Sequence, residues 1–170
     1  NDLVATALEL TDYGLRTAGV LVHLVYQSDL PRIDGDRDQL HQVLVNLIIN
    51  AQQAMEKGDT FEKTLSIHTS SRGGRVLVDV LDTGPGIPEE TRCRIFEPFF
   101  TTKKHGLESG TGIGLSFSQG MVEAHGGTLS IESSDRGAHF RIDLPAADGE
   151  KIEAAGEPAP PPAAGAPRAG

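Results

Sequence analysis

Apolar residues recur along this chain in two rhythms, and the switches between them mark out its elements. From Asp2 to Thr17 they stand at Leu3, Val4, Ala7, Leu8 and Leu15, a spacing that predicts a helix. Val20 to Tyr26 is an apolar run rich in β-branched residues and predicts a strand. Leu30-Pro31 and Asp34-Gly35 interrupt the chain. Asp36 then opens a long helix carrying Leu40, Val43, Leu44, Leu47, Ile48, Ala51 and Met55 at helical spacing. Lys57-Gly58 ends it, a cation in the last turn followed by glycine. Leu65–Ile67 and Val76–Val80, on either side of Gly73-Gly74, predict a β-hairpin. Pro88-Glu89-Glu90 has the proline and the acids of a short helix start. Residues 113–125 return to helical spacing, and 128–132 and 139–144 read as two strands around Asp135-Arg136-Gly137. The order α-β-α-β-β-(loop, α)-α-β-β predicts an α+β fold, one mostly antiparallel sheet with helices on one face.

Composition then trims the length. Of the 25 residues from Ala146 to Gly170, 18 are Ala, Pro or Gly, and Ile152 is their only large apolar residue. Such a segment buries too little apolar area to offset its ordering entropy. The expected division is one folded domain over residues 1–145 and a disordered tail or linker over 146–170. The missing initial Met reads as the mark of a fragment. Charge narrows the partners. There are 15 Lys+Arg against 24 Asp+Glu, a net charge of −9, and no basic run is longer than Lys103-Lys104. That argues against nucleic acid and anionic membranes as partners. A single cysteine, Cys93, allows no internal disulfide, and a reducing, cytoplasmic location fits best. Cys93 itself is expected to be half-buried.

Three features carry chemistry. Gln42, Asn46, Asn50 and Gln53 are spaced by 4, 4 and 3 and share one stripe of the long helix. That helix is apolar nearly all round, so amides on it need partners. Hydrogen bonding to a neighbouring loop is one reading. The other is a hard cation, because amide oxygens suit a Mg²⁺ that keeps its waters and phosphates. Asp82-Thr83-Gly84-Pro85-Gly86-Ile87 follows a strand directly, and an acid before G-x-G lets backbone approach a flat ligand bearing an exocyclic amine. Gly110-Thr111-Gly112-Ile113-Gly114-Leu115 opens a helix, where free N–H groups suit phosphate oxygens. Between the two glycine clusters, Phe96, Phe99 and Phe100 sit in an otherwise polar loop and suggest a hydrophobic hook for a lid. Each feature alone is an ordinary turn or a core cluster. Their order and combination say more.

In that order they resemble the boxes of the ATP-binding catalytic domain of a bacterial sensor histidine kinase, within the GHKL superfamily. Leu40–Ala51 resembles its N box, Asp82–Gly86 its G1 box, Phe96–Lys103 its F box and Gly110–Leu115 its G2 box. His125-Gly126-Gly127 and Phe140–Pro145 follow the same pattern, and Gln53-Ala54-Met55 with the F box is similar to the nitrogen-regulation type. The resemblance implies a Bergerat-type two-layer α/β sandwich with a mobile ATP lid, here roughly Pro88 to Ser109. It implies ATP and Mg²⁺ as cofactors. Asn50 would coordinate Mg²⁺, with Asn46 and Gln53 near the phosphates. Asp82 would bind the adenine amine, and Gly84 and Gly86 would pack on the ring. Ala51, Ile87 and Leu115 would line the pocket. Gly110, Thr111, Gly112 and Gly114 would meet phosphates through N–H groups, and Lys103 or Lys104 would cover phosphate charge.

The implied activity is donation of the γ-phosphoryl group to a histidine on a dimerisation domain, with a response regulator downstream. None of the six histidines (23, 41, 68, 105, 125 and 139) is followed by Glu or Asp, as such an acceptor normally is. The acceptor is therefore expected outside this chain, and the chain on its own is expected to be monomeric. His125 is expected as an imidazolium at a helix end. Three positions depart from the pattern. Asn46 stands where gyrase-like and chaperone-like members carry a water-activating Glu, which argues for transfer over hydrolysis. Gln53 replaces a frequent Lys, and Ala138 replaces a usual Thr, so modest nucleotide affinity is expected. The competing readings are a GHKL ATPase switch, a non-catalytic nucleotide-binding module, and a serine kinase of the anti-sigma-factor type.

Overall fold

The computed structural model describes residues 1–58, 62–100 and 112–147. Four helices and five strands follow the expected order among these residues: α1 (Asp2–Thr17), β1 (Leu21–Tyr26), α2 (Arg37–Lys57), β2 (Thr64–Arg72), β3 (Arg75–Asp82), α3 (Glu89–Arg92), α4 (Gly114–Ala124), β4 (Thr128–Ile131) and β5 (His139–Pro145). The strands form one sheet in the order β1-β2-β3-β5-β4. Three of its four pairings are antiparallel, and β1 with β2 is parallel. That parallel pair is a βαβ unit crossing over through α2. The result is the mixed, mostly antiparallel α+β sheet that the pattern predicts.

Register sorts the sheet into two faces. Leu24, Ile67, Val80, Phe140 and Ile131 form a row across all five strands on the helix-covered face. The row beside it, Val25, His68, Asp79, Arg141 and Ser130, lies on the opposite face. Against the covered face α2 buries Leu40, Leu44, Leu47, Ile48, Ala51 and Met55. This helix begins where it does because the Asp36 carboxylate accepts from the Asp38 and Gln39 N–H groups at 2.9 and 3.1 Å. Helix α1 packs its Val4, Ala7, Thr11 and Leu15 stripe inward. The Thr11 hydroxyl satisfies itself on the Ala7 carbonyl at 2.8 Å. The turn between β2 and β3 uses Gly73 and Gly74, both at positive φ, as a two-residue hairpin requires.

Two local expectations are corrected. Cys93, expected half-buried, is exposed, because α3 is a single turn with no buried residue. His125 stands at the end of α4 as expected, but not as an imidazolium serving its dipole. Its Nε2 accepts the Asp36 N–H at 2.9 Å, and its Nδ1 lies 2.6 Å from the Met121 carbonyl. Both bonds together require a neutral ring protonated at Nδ1, which ties the end of α4 to the start of α2. Ala146 and Ala147 remain bonded to the body through the Gly74 and Arg32 carbonyls. The rest of the expected tail, residues 148–170, lies outside the described residues, as do residues 101–109 of the expected lid and Gly110-Thr111 of the second glycine cluster.

Candidate functional site

A cavity of about 350 Å³ opens between α2, the start of α4 and the end of β3. One wall is the amide stripe. Asn46, Asn50 and Gln53 line the cavity with Ile49 and Ala51, while Gln42, one turn earlier, is exposed and outside it. Asn46 is already engaged, its Nδ2 donating to Ser118 Oγ on α4 at 2.8 Å. The side chain of Asn50 makes no hydrogen bond to any described residue. Its oxygen, like Asn46 Oδ1, takes no hydrogen bond from a described residue and is open to a ligand.

The opposite wall is Asp82, which is 5% exposed. Its Oδ1 accepts from the Gly84 N–H at 2.8 Å and the Ala138 N–H at 3.2 Å. Its own backbone N–H donates to the Ala138 carbonyl at 3.0 Å. Burial raises the Asp82 pKa above the ordinary carboxylate value, and the two N–H groups only partly oppose this. No cation faces it among the described residues, and Oδ2 carries no hydrogen bond. An acid held by two backbone donors on one oxygen can accept from a ligand donor on the other.

Close backbone approach explains the glycines here. A Cβ at Gly137 would lie 1.8 Å from the Asp82 carbonyl oxygen, and φ there is +68°. A Cβ at Gly114 would lie 2.7 Å from Asn46 Oδ1, so a side chain there would displace the amide. Gly112, at φ +67°, accepts from the Phe99 N–H at 3.0 Å and fits against the Phe99 and Phe100 backbone. Through this contact the phenylalanine loop and the second glycine cluster brace one another.

The residues expected for a site gather around this cavity with stated exceptions. Asn46, Asn50, Ala51, Gln53, Asp82, Gly86, Ile87, Gly112, Gly114 and Leu115 line it. Gly84 does not, because its N–H is spent on Asp82 and it sits against Ala54. Lys103, Gly110 and Thr111 lie outside the described residues. Six further residues line the cavity: Ile49, Pro88, Thr91, Ile95, Phe100 and Phe140. Phe100 belonged to the aromatic hook. Pro88, Thr91 and Ile95 fall within the expected lid without being singled out as site residues, and Ile49 and Phe140 carry only the signals of ordinary core residues.

The site suits a hard divalent cation only as a shared ligand. Among the described residues no group of three or more His, Cys, Asp or Glu is placed to hold a metal. A lone amide oxygen beside a cavity fits Mg²⁺, which completes its shell with water and substrate phosphates. The cavity volume falls within the range of small-molecule sites. No helix among the described residues is long and apolar enough to cross a membrane.

A helix-backed sheet with its cavity at one strand end, walled by glycine backbone, an amide stripe and a buried acid, is the architecture of one ATPase class. The chain belongs to the histidine kinase-, DNA gyrase B- and HSP90-like ATPase family, which matches residues 35–148. Within it, the chain is homologous to sensor histidine kinases. It is 35% identical over 147 residues to sensor histidine kinase ZraS of Salmonella typhimurium, covering 85% of this chain and 30% of that protein. It is 36% identical over 157 residues to sensory histidine kinase/phosphatase NtrB of Rhodobacter capsulatus, covering 84% and 43%. The chain thus spans less than half the length of either relative. The fold matches the nucleotide-free catalytic domain of histidine kinase ThkA with TM-score 0.75 and 32% identity, over 86% of this chain and 91% of that one. It matches full-length ShkA in complex with AMPPNP with TM-score 0.73 and 32% identity, over 86% and 30%. A complex of ThkA with the response regulator protein TrrA matches with TM-score 0.72 and 29% identity, over 86% and 40%.

Proposed function

We propose that this chain binds Mg-ATP and donates the γ-phosphoryl group to a histidine on a dimerisation domain, in two-component signalling. The observation that carries this reading is the pairing of a partnerless Asn50 amide with the free Oδ2 of buried Asp82 across one cavity. Asp82 would accept from the adenine amine, and Ile87, Leu115 and Phe140 would flank the base. Gly86 is the glycine placed to pack on it. Asn50 would ligate the metal, with Asn46 and Gln53 beside the phosphates. Bound Mg²⁺ would neutralise phosphate charge during transfer. Gly110, Thr111, Gly112 and Gly114 would offer N–H groups to the phosphates, and Lys103 or Lys104 a cation. These local devices matter because the net charge of −9 does not attract an anion.

Positioning and electrostatics are then the chain's whole contribution, since the acceptor histidine brings the nucleophile. Among the described residues hydrolysis lacks a base. Asp82 is the one carboxylate among the described residues lining the cavity, and its place is at the base-binding end. Asn46 cannot take a proton at neutral pH, and its NH₂ is donated to Ser118. Beside the cavity mouth Phe99, Ile113 and Phe117 are exposed at 75%, 41% and 58%. This apolar surface supports docking of the dimerisation domain.

The test is transfer from γ-labelled ATP to a dimerisation domain supplied in trans. Label should appear on its histidine, be lost with Asn50→Ala, and fall with Phe117→Ser while ATP binding stays unchanged. No transfer to any such domain, together with steady ATP turnover by the chain alone, would favour an ATPase switch. Failure to bind Mg-ATP at all would leave a non-catalytic module.

A further inference from the structure

The layer between α2 and the sheet holds a second cavity, of about 370 Å³, at the end away from Asp82. It shares no lining residue with the first. Strand alternation separates them. Val76 and Val78 sit on the same face of β3 as Asp82, and Ile142 and Leu144 follow Phe140 on β5. Leu40 and Leu44 precede Asn46 on α2, Leu40 by nearly two turns and Leu44 by about half a turn on the sheet-facing side. Leu40, Leu44, Val76, Val78, Ile142 and Leu144 give this cavity an apolar wall, while Asn1, Ser28 and buried Thr69 add polar atoms to its lining. A ligand seated against that wall presents an apolar body to it.

Its rim is charged. Arg32, in the loop before α2, and Arg37, the first residue of that helix, both line it. Neither guanidinium has a hydrogen bond or ion pair with any described residue. Arg16, Arg75, Arg92, Arg94 and Arg141 each pair with an acid, and Arg72 and Arg136 have no side-chain partner among the described residues but line neither cavity. In a chain with nine more acids than bases, two unpaired arginines on one rim are conspicuous. The nearby Asp36 carboxylate is occupied by the start of α2. Asp2 also lines the rim and disfavours a doubly charged head. The volume of about 370 Å³ suits one short chain.

We propose that this second cavity is a binding site for a small amphipathic monocarboxylate, with its apolar body between α2 and the sheet and its head on Arg32 and Arg37. The site is independent of the nucleotide reading, because the two cavities have separate walls.

Decanoate titrated into the isotope-labelled full chain, with amide signals followed by NMR, tests this. Saturable binding should shift the amides of Leu40, Val78 and Ile142 and leave those of Asn50 and Gly86 in place. Decylammonium should bind about tenfold more weakly, as should decanoate to the Arg32→Gln, Arg37→Gln double variant, because the charge-assisted hydrogen bonds to the head are lost. Both substitutions are at exposed positions, so an unchanged amide spectrum elsewhere will certify the fold. Excess Mg-ATP should not compete. The proposal is overturned by absence of saturable binding, by equal affinity for decylammonium, or by an undiminished affinity in the double variant. Competition by ATP, or tighter binding to anionic vesicles than to the free acid, overturns it equally.

Discussion

Strand β3 carries two buried aspartates three residues apart, Asp79 and Asp82, exposed by only 7% and 5%. Being an odd number of residues apart, they face opposite sides of the sheet. Asp79 meets Arg141 Nε at 2.8 Å and His139 Nε2 at 2.6 Å, both on Oδ1. Burial pushes its carboxyl pKa up, but the hydrogen bonds and charges of Arg141 and His139 outweigh burial and hold it below the ordinary value. Asp82 receives only two backbone N–H groups, burial prevails, and its pKa is raised. The same residue type on the same strand is completed by its own protein in one case and left incomplete in the other. A buried acid with its cations supplied serves the fold. One left with an unbonded oxygen over a cavity stores a deficit that a ligand can relieve.

The largest expected effect falls on the fold. Asp79→Ala strips a buried partner from Arg141 and His139 and should cost about 3 kcal/mol in denaturant unfolding. Nucleotide affinity of the folded variant should be unchanged. Asp82→Ala should do the reverse, weakening ATP in a calorimetric titration by roughly 10- to 100-fold, the worth of a hydrogen bond to a charged group. Loss of stability without loss of binding at position 82 would erase the contrast.

Proton linkage sharpens it. A raised folded pKa means native Asp82 holds its proton above the unfolded value of 3.8. Its stability contribution is present below that value and lost as pH rises through the folded pKa. Asp82→Asn should therefore gain melting temperature on wild type as pH climbs from 3 to 7. Asp79, with a lowered folded pKa, stabilises above 3.8 and loses that contribution as pH falls through its folded pKa. Asp79→Asn should compare worst with wild type at neutral pH and recover toward acid. Parallel curves for the two variants would contradict the account.

Smaller effects lie around the cavity. Gly114→Ala places a Cβ against Asn46 Oδ1 and should weaken ATP by about tenfold through the displaced amide. Ala138→Thr restores a hydroxyl at a buried position and should tighten nucleotide by about threefold, the low end of one hydrogen bond. An unchanged affinity there would remove the reason to expect weak binding.

What was legible in the sequence follows from what is local. The amide stripe on α2 could be read because Asn46 and Asn50 stand one turn apart on an otherwise apolar helix, where polar groups need a reason. Asp82 could be read because an acid between a strand and G-x-G is a local signature. The parallel pairing of β1 with β2 was not legible, since an apolar run names a strand but not its neighbour. Phe140 and Ile95 line the cavity yet look like core from their spacing, because a ligand wall and a core wall use the same side chains. Gly84 is expected against the ring, yet it is not among the residues lining the cavity. The fold instead spends its N–H on Asp82, a bond set by the turn geometry rather than the residue type. The helix end at His125 is legible locally, but the bond its ring makes is not, because the Nε2 partner, the Asp36 N–H, is 89 residues away.

The central claim is that Asn50 holds a metal for the phosphates while Asp82 holds the base. Calorimetric titration of ATP into the wild type and Asn50→Ala, each with Mg²⁺ and with a chelator, tests it most directly. The account predicts that chelation weakens the wild type and leaves Asn50→Ala unaffected, because the coupling between metal and protein runs through that amide. Equal sensitivity to Mg²⁺ in both proteins would contradict it.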